Sequence, residues 1–180
     1  MLIATTIDEK SPYTGGHVRR VADLVVRLAR KINEATKGPF AGVSFDADRM
    51  EELRMAAWLH DICKGQPNHG AAGAMQARAI LGQTDFPPAK IDAVAQAISV
   101  HVGLYRAPEA APLRPLEAAI LWDADKLSKL GVQALAYNIS MSFMRGLTLT
   151  QRRANLREYT EGVLARTVAS MNTSEAGVLA

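Results

Sequence analysis

Two kinds of metal ligand stand side by side at positions 60 and 61 of this chain. His60 supplies an imidazole and Asp61 a carboxylate, and Lys64 follows within one helical turn. An imidazole and a carboxylate that enter a protein interior together need a partner that balances both, and a divalent cation is the commonest such partner. The pair therefore indicates a metal site with a lysine close beside it.

A helix must carry this pair into the interior. Residues 48–64 predict such a helix, because Leu53, Ala57 and His60 recur at the spacing of one helical face. This spacing places His60 on the stripe that faces the core. Gly65 then ends the predicted helix.

Other metal-ligating side chains are few and are spread along the chain. The chain has only four histidines, each from a different segment: His17, His60, His69 and His101. Asp125 adds a carboxylate on the apolar side of another predicted helix. Ligands from several helices can converge inside a helical domain, and imidazoles with carboxylates suit Mn, Fe, Co, Ni, Zn or Mg. A lone histidine on an apolar stripe is more often a packed core residue, so spacing alone leaves both interpretations open.

Apolar residues at helical spacing, separated by breaks rich in glycine and proline, predict an all-α single domain of about seven helices. The predicted helices span about 16–35, 48–64, 71–81, 89–102, 116–130, 132–144 and 150–171. The proline-rich segment 103–115 is a predicted loop or lid. We expect a lead-in over 1–10, the domain over 11–171 and a disordered tail over 172–180.

The composition limits the classes of function. With 180 residues, 48% of them hydrophobic, the chain can bury one proper core. Its net charge of +3, without long basic runs, does not indicate nucleic-acid binding and suits an anionic small molecule. One cysteine, no signal peptide and no membrane-length apolar run predict a cytoplasmic protein. A homo-oligomer is compatible with these features.

Three blocks, in this order, carry a family resemblance: Gly16–Val21, Trp58–Lys64 and Asp123–Leu127. Over about residues 13–131 the chain resembles the HD-domain superfamily of metal-dependent phosphohydrolases, of the HDIG type. The resemblance implies an HD-domain helical bundle with one or two divalent metal ions per chain. It implies four ligands for one of them: His17, His60, Asp61 and Asp125. Asp123 would be an outer-shell residue or a cap.

The resemblance also implies an activity. The expected enzyme hydrolyses a phosphomonoester or phosphodiester of a nucleotide-like small molecule through a metal-activated water. Asp61 would both ligate the metal and orient the water, and Lys64 would hold the phosphoryl oxygens as a second catalytic group. Arg20 and Arg106 are candidate substrate contacts.

The N-terminal half is also similar to the HD-GYP branch, the cyclic di-GMP phosphodiesterases. The similarity lies in residues 8–17, in His69-Gly70 and in residues 85–87. In that branch, histidines that match His69 and His101 help to hold a second metal or to bind phosphate. The second histidine, the glutamate and the Gly-Tyr-Pro signature that the branch has after His101 are absent from this sequence.

The N-terminal similarity, the altered region after His101 and the six possible ligands leave three alternatives to a general phosphohydrolase open. The chain could be a cyclic di-GMP phosphodiesterase with a degenerate Gly-Tyr-Pro motif. It could instead be a non-catalytic nucleotide-binding module that signals through a partner. The least favoured alternative is oxygen chemistry at a di-iron centre, which some HD-fold proteins perform.

Overall fold

The computed structural model describes residues 16–180, which form α-helices joined by turns and loops. The helices are α1 (His17–Asn33), α2 (Ala47–Leu59), α3 (His69–Leu81), α4 (Pro88–Ser99), α5 (Leu116–Leu127), α6 (Gly131–Ser140), α7 (Leu149–Glu158), α8 (Ala165–Ala169) and α9 (Ser174–Leu179). A 3₁₀ turn (Ser142–Met144) precedes α7, and a π-helical segment (Tyr159–Leu164) joins α7 to α8. Because the described residues contain no strand, the predicted all-α class is confirmed.

The core forms where the apolar stripes of the first five helices meet. On α1 the stripe consists of Val21, Val25, Leu28 and Ile32, all fully buried as their spacing predicts. Helix α1 packs against α2 and α5, α2 packs against α4, and α3 packs against α4. This arrangement brings the start of α1 and the ends of α2 and α4 together beside the C-terminal turn of α5.

Helix α5 is the central element of the bundle. Its residues from Ala118 to Lys126 are all buried, including the charged Asp123, Asp125 and Lys126. Burying a charge is costly unless it is paired, so each of these side chains must find a partner inside the protein. The partners of Asp125 and Lys126 lie on one side of α5, and those of Asp123 come from the C-terminal segment.

The predicted helix over 48–64 is shorter than expected. Helix α2 ends at Leu59, and the following residues form successive tight turns, such as the bond from the Lys64 amide to the Asp61 carbonyl at 2.9 Å. The turns bury both His60 and Asp61.

The prediction of a disordered tail over 172–180 is wrong, because Ser174–Leu179 is a helix whose Ala176 is fully buried. The Asp123 carboxylate holds this segment through four hydrogen bonds. Its Oδ1 accepts from the Asn172 amide at 2.8 Å and Nδ2 at 2.9 Å, and its Oδ2 accepts from the Thr173 amide at 2.8 Å and Oγ1 at 2.7 Å. Asp123 is therefore a cap for the C-terminal segment.

Some expectations are not tested by the described residues. The predicted lead-in over 1–10 and residues 8–15, which are similar to HD-GYP proteins, lie outside them. Among the helices of residues 16–180, none is long and apolar enough to span a bilayer. The cytoplasmic location stays a prediction.

Candidate metal centre

The four ligands implied by the sequence meet beside α5. The His17 Nε2 lies 3.5 Å from Asp61 Oδ2 and 3.2 Å from Asp125 Oδ1. The His60 Nε2 lies 3.5 Å and 3.7 Å from the same two oxygens. All four side chains are buried, and each of the two imidazole nitrogens lies within 3.7 Å of both carboxylate oxygens.

Hydrogen bonds on the far side of each ring fix the orientation of two histidines. The His60 Nδ1 lies 2.7 Å from the Ala57 carbonyl oxygen, and the His101 Nδ1 lies 2.6 Å from the Ile98 carbonyl oxygen. A carbonyl only accepts, so each Nδ1 carries the proton and donates it. Nε2 is then the nitrogen that can bind a metal, which is the usual arrangement of metal-ligating histidines.

The hydroxyl of Ser128 fixes the orientation of the His17 ring. The Ser128 hydroxyl donates its one proton to the Asp125 carbonyl at 2.7 Å. Its oxygen, 3.1 Å from the His17 Nδ1, must therefore accept from that ring. The Nε2 of His17 consequently faces the two carboxylates.

In this arrangement, buried imidazole nitrogens face buried carboxylate oxygens. Among the described residues, no hydrogen-bond partner exists for the buried Nε2 atoms of His17, His60 and His101. Burial lowers the pKa of His60, which favours the neutral ring. A neutral His60 directs its Nε2 lone pair at buried carboxylate oxygens, and a cation between these atoms would stabilise that arrangement. The donor set thus fits a divalent metal ion on the geometry of this chain alone.

A second group of ligands shares Asp61 with the first. The His101 Nε2 lies 3.6 Å from Asp61 Oδ1, the oxygen that does not face His17 and His60. One ligand atom each of Asp61, His69 and His101 lie within 4.8 Å of one another, as do those of His17, His60 and Asp61. Asp61 therefore has the position of a carboxylate that bridges two metal sites.

Two lysines that the sequence analysis did not select surround Asp125. The Lys126 ammonium donates to Asp125 Oδ2 and, at 2.9 Å, to the His101 carbonyl, while the Lys129 ammonium lies 2.6 Å from Asp125 Oδ1. Burial would raise the pKa of Asp125, but Lys126 and Lys129 hold it well below its usual value. The spacing of Asp125 and Lys129, one helical turn apart, was a signal that could have revealed this pair.

The predicted phosphate and substrate contacts divide into two groups. The Lys64 ammonium lies 2.6 Å from Asp61 Oδ2, and Lys64 and Arg20 line the cavity that opens from the metal centre. Arg106 is not among the described residues that line this cavity. Its guanidinium donates instead to Asn172 Oδ1 at 2.7 Å and to the Ala111 carbonyl at 2.6 Å. Arg106 thus fastens the 103–115 loop to the C-terminal segment.

The cavity beside the metal centre has a volume of about 540 Å³. Its lining residues are His17, Arg20, Lys64, Leu104, Ser128, Lys129, Gln133, Ala134, Tyr137, Asn138, Met141, Phe143 and Tyr159. Small-molecule sites commonly have volumes of about 300–1,000 Å³. The cavity is large enough for a substrate and touches His17 of the metal centre.

Comparison with known families agrees with this geometry. A family model for the HD domain matches residues 14–130, nearly two thirds of the chain. The chain belongs to the HD domain family. HD domains are helical bundles that bind divalent metals, and the family consists generally of metal-dependent phosphohydrolases. The match includes every ligand of both groups, and no solved structure matches the chain.

Proposed function

We propose that this HD domain hydrolyses a phosphate ester of a nucleotide-like small molecule. His17, His60, Asp61 and Asp125 hold one divalent cation, and His69 and His101 with Asp61 hold a second. The observation that carries the proposal is the set of buried histidine Nε2 atoms that have no hydrogen-bond partner among the described residues and lie 3.2 Å to 3.7 Å from carboxylate oxygens. Such an arrangement has no hydrogen-bonding role and is suited to binding a cation.

The reaction exchanges one phosphorus–oxygen bond for another. A divalent cation, when bound, lowers the pKa of a coordinated water and polarises a phosphoryl oxygen. The bond that forms joins a water oxygen to phosphorus, and the bond that breaks joins phosphorus to the ester oxygen. The leaving oxygen takes up one proton and departs as an alcohol, while the phosphoryl group keeps the new oxygen.

Cationic side chains of the cavity hold the phosphoryl group for this exchange. Lys64, Arg20 and Lys129 line the cavity and supply donors for its oxygens. The ammonium of Lys64 already lies at the edge of the ligand cluster, next to Asp61. These contacts favour a phosphate ester over a neutral substrate.

Metal content and phosphate release test the proposal together. The wild-type chain, purified without added metal, should contain bound divalent metal and should release phosphate from esters when supplied with Mn, Co or Ni. Asp61→Asn keeps the side-chain shape but removes the shared ligand, so we expect a loss of metal and a fall in rate of at least about 1,000-fold. Asp23→Asn is the matched control, because Asp23 is an exposed carboxylate on α1.

The substrate panel separates the alternatives. It contains nucleoside monophosphates, an aryl phosphomonoester, an aryl phosphodiester and cyclic di-GMP. Turnover of cyclic di-GMP alone would replace the proposal with the specialised phosphodiesterase. Tight nucleotide binding without turnover would replace it with a binding module, and equal metal content in wild type and Asp61→Asn would overturn the metal centre.

A further inference from the structure

The second ligand group takes its two histidines from the start of one helix and from just beyond the end of another. His69 is the first residue of α3, and His101 follows the end of α4. The ring of His101 lies between two others, with its centroid 5.1 Å from that of His60 and 5.2 Å from that of His69. The position of α3 relative to residues 99–102 therefore decides whether His69 can complete the group with His101.

Gly70, the residue after His69, allows α3 to lie directly against residues 99–102. It is buried, and a Cβ atom on it would lie 2.7 Å from the Ser99 carbonyl oxygen and 2.9 Å from Val102 Cγ1. Ordinary contacts of a Cβ atom begin at 3.4 Å, and glycine is the residue that permits a closer approach of two backbones. Because the nearest atom belongs to the backbone, rotation of a side chain could not relieve the clash. Any larger residue would therefore displace one of the two segments.

Helix α5 holds the other side of this segment. The Trp122 Nε1 donates to the Val102 carbonyl at 3.3 Å, and the Lys126 ammonium donates to the His101 carbonyl at 2.9 Å. Both side chains are buried one helical turn apart, and the ammonium lies 5.2 Å from the centre of the Trp122 ring. Since Lys126 also contacts Asp125 of the first group, the bond from Trp122 is the one that serves the second group alone. A clash against this fixed segment would therefore move the start of α3, together with the ligand that α3 carries.

The first ligand group does not depend on this close approach. Its ligands come from α1, from the turns after α2 and from α5, whereas Gly70 belongs to α3. One helical turn further along α3, a Cβ atom on Gly73 would lie 3.4 Å from the His60 carbonyl oxygen, which is an ordinary contact. A displacement at Gly70 should therefore weaken the second group and spare the first.

We propose that Gly70 and Trp122 are positioning residues for the second metal ion. They hold His69 and His101 at ligating distance from each other, although neither offers a ligand atom of its own. This inference rests on the two-ion site of the proposed function. It predicts that the two ions can be separated by substitutions that leave every ligand in place.

Mn²⁺ titration of Gly70→Ala tests the inference without a measurement of activity. Isothermal titration should show two Mn²⁺ ions bound per wild-type chain. In Gly70→Ala the affinity for one ion should stay within about threefold, while that for the other falls at least about tenfold, as expected when a ligand loses its support. Gly177→Ala on α9 is the matched control, because a Cβ atom there would meet no described atom within 4 Å.

Trp122→Phe is the second variant. It keeps a buried aromatic ring but loses the N–H that holds the Val102 carbonyl, so the affinity for the same ion should fall about fivefold.

Phosphate release distinguishes a misplaced ligand from a missing one. Gly70→Ala keeps every ligand, so raising the Mn²⁺ concentration about 100-fold should refill the second site by mass action and restore phosphate release. His69→Ala lacks a ligand, and its phosphate release should stay low under the same conditions.

The outcomes separate this inference from the proposed function. Selective loss of one ion in Gly70→Ala would support the inference, since the retained ion shows that the variant folds. If Gly70→Ala lost both ions, selective weakening of one ion in Trp122→Phe would support the inference, and any other result for that variant would overturn it. Equal binding by wild type and both variants, or a single ion in wild type, would overturn the inference and leave phosphate release as evidence for the function. Absence of metal from wild type would overturn both.

Discussion

Two buried carboxylates on α5 serve different purposes although only one residue separates them. Asp123 is 0% exposed and Asp125 1% exposed. Side chains two positions apart on a helix point in nearly opposite directions, so one faces the C-terminal segment and the other faces the metal centre. The oxygens of Asp123 receive four N–H and O–H donors, while Asp125 faces two ammonium groups and the lone pairs of His17 and His60.

The contrast shows how a fold distinguishes a structural charge from a functional one. Donors fully satisfy the oxygens of Asp123, so this side of α5 stabilises the protein and has nothing left to bind. The metal side gathers carboxylates and unprotonated nitrogens that cannot satisfy one another. Its histidines are held in place by distant hydrogen bonds, and the ammonium groups of Lys64, Lys126 and Lys129 balance its carboxylates in the metal-free chain.

We expect the largest effect for Asp61→Asn, which tests the side of α5 that faces the candidate metal centre. The new amide can donate to an Nε2 atom that has no partner in the described structure, so we expect the metal-free variant to be at least as stable as wild type. Its affinity for Mn²⁺ should fall at least about 100-fold. Saturating Mn²⁺ should raise the free energy of unfolding of wild type by about 3 kcal/mol and leave that of the variant almost unchanged.

Urea unfolding with and without Mn²⁺ measures both quantities. A loss of several kcal/mol in the metal-free Asp61→Asn variant would contradict this prediction. Asp61 would then contribute to stability in the same way as Asp123 does.

We expect the second largest effect for Asp123→Asn, which tests the side of α5 that holds the C-terminal segment. The new amide group would point at two of the four donors from Asn172 and Thr173, so we expect a loss of about 3 kcal/mol in the free energy of unfolding. The bound metal per chain should stay the same. Elemental analysis and thermal unfolding of the same sample measure both, and a variant that lost metal yet kept its stability would reverse the assignment of the two sides.

A smaller effect is expected for Lys126→Met. Breaking a buried ion pair costs about 3–5 kcal/mol, but Lys129 still neutralises Asp125, so we expect a loss of about 2 kcal/mol in the metal-free chain. Mn²⁺ should stabilise this variant more than wild type, because one of the positive charges that compete with the metal is gone. Lys129→Met, at a partly exposed side chain, serves as the milder companion variant. Equal stabilisation of wild type and both variants by Mn²⁺ would contradict this prediction.

The smallest expected effect is the change in the free energy of unfolding with pH. Burial lowers the pKa of His60 below its ordinary 6.5, so the unfolded chain binds the proton more readily than the folded chain. The free energy of unfolding of the metal-free chain should therefore fall as the pH drops below 6.5, by at most about 1.4 kcal/mol per pH unit for this group. Asp61 and Asp125, whose pKa values are lowered, add a further loss only below pH 3.8.

Urea unfolding from about pH 7.5 to about pH 5.5 checks this slope. His60→Gln should flatten it. Asp123 contributes with the opposite sign, because its raised pKa makes the folded chain bind the proton more readily, so Asp123→Asn should leave the slope unchanged or make it steeper. A slope that His60→Gln left unchanged would contradict the assignment of this titration to His60.

Much of the bundle could be predicted because the pattern of a helix is local. The stripe of Val21, Val25 and Leu28 identified the buried face of α1, and the three blocks of the HD family identified His17, His60, Asp61 and Asp125. Periodicity reports which face of a helix is apolar, and this depends on residues within a few turns. The predicted boundaries were less accurate where tight turns replace the helix, as they do after Leu59.

The remaining features were decided by contacts between residues that are far apart in the chain. Ser128 orients His17 across 111 residues, and Asp123 holds Thr173 across 50. No local pattern encodes such pairs, which exist only once α1, α5 and the C-terminal segment have packed together. The three blocks predicted the HD family, and helical periodicity predicted the buried faces of the helices, because both are properties of the sequence. The tertiary structure decided which partners each carboxylate of α5 meets, the C-terminal segment for Asp123 and two histidines and two lysines for Asp125, because only packing brings these groups together.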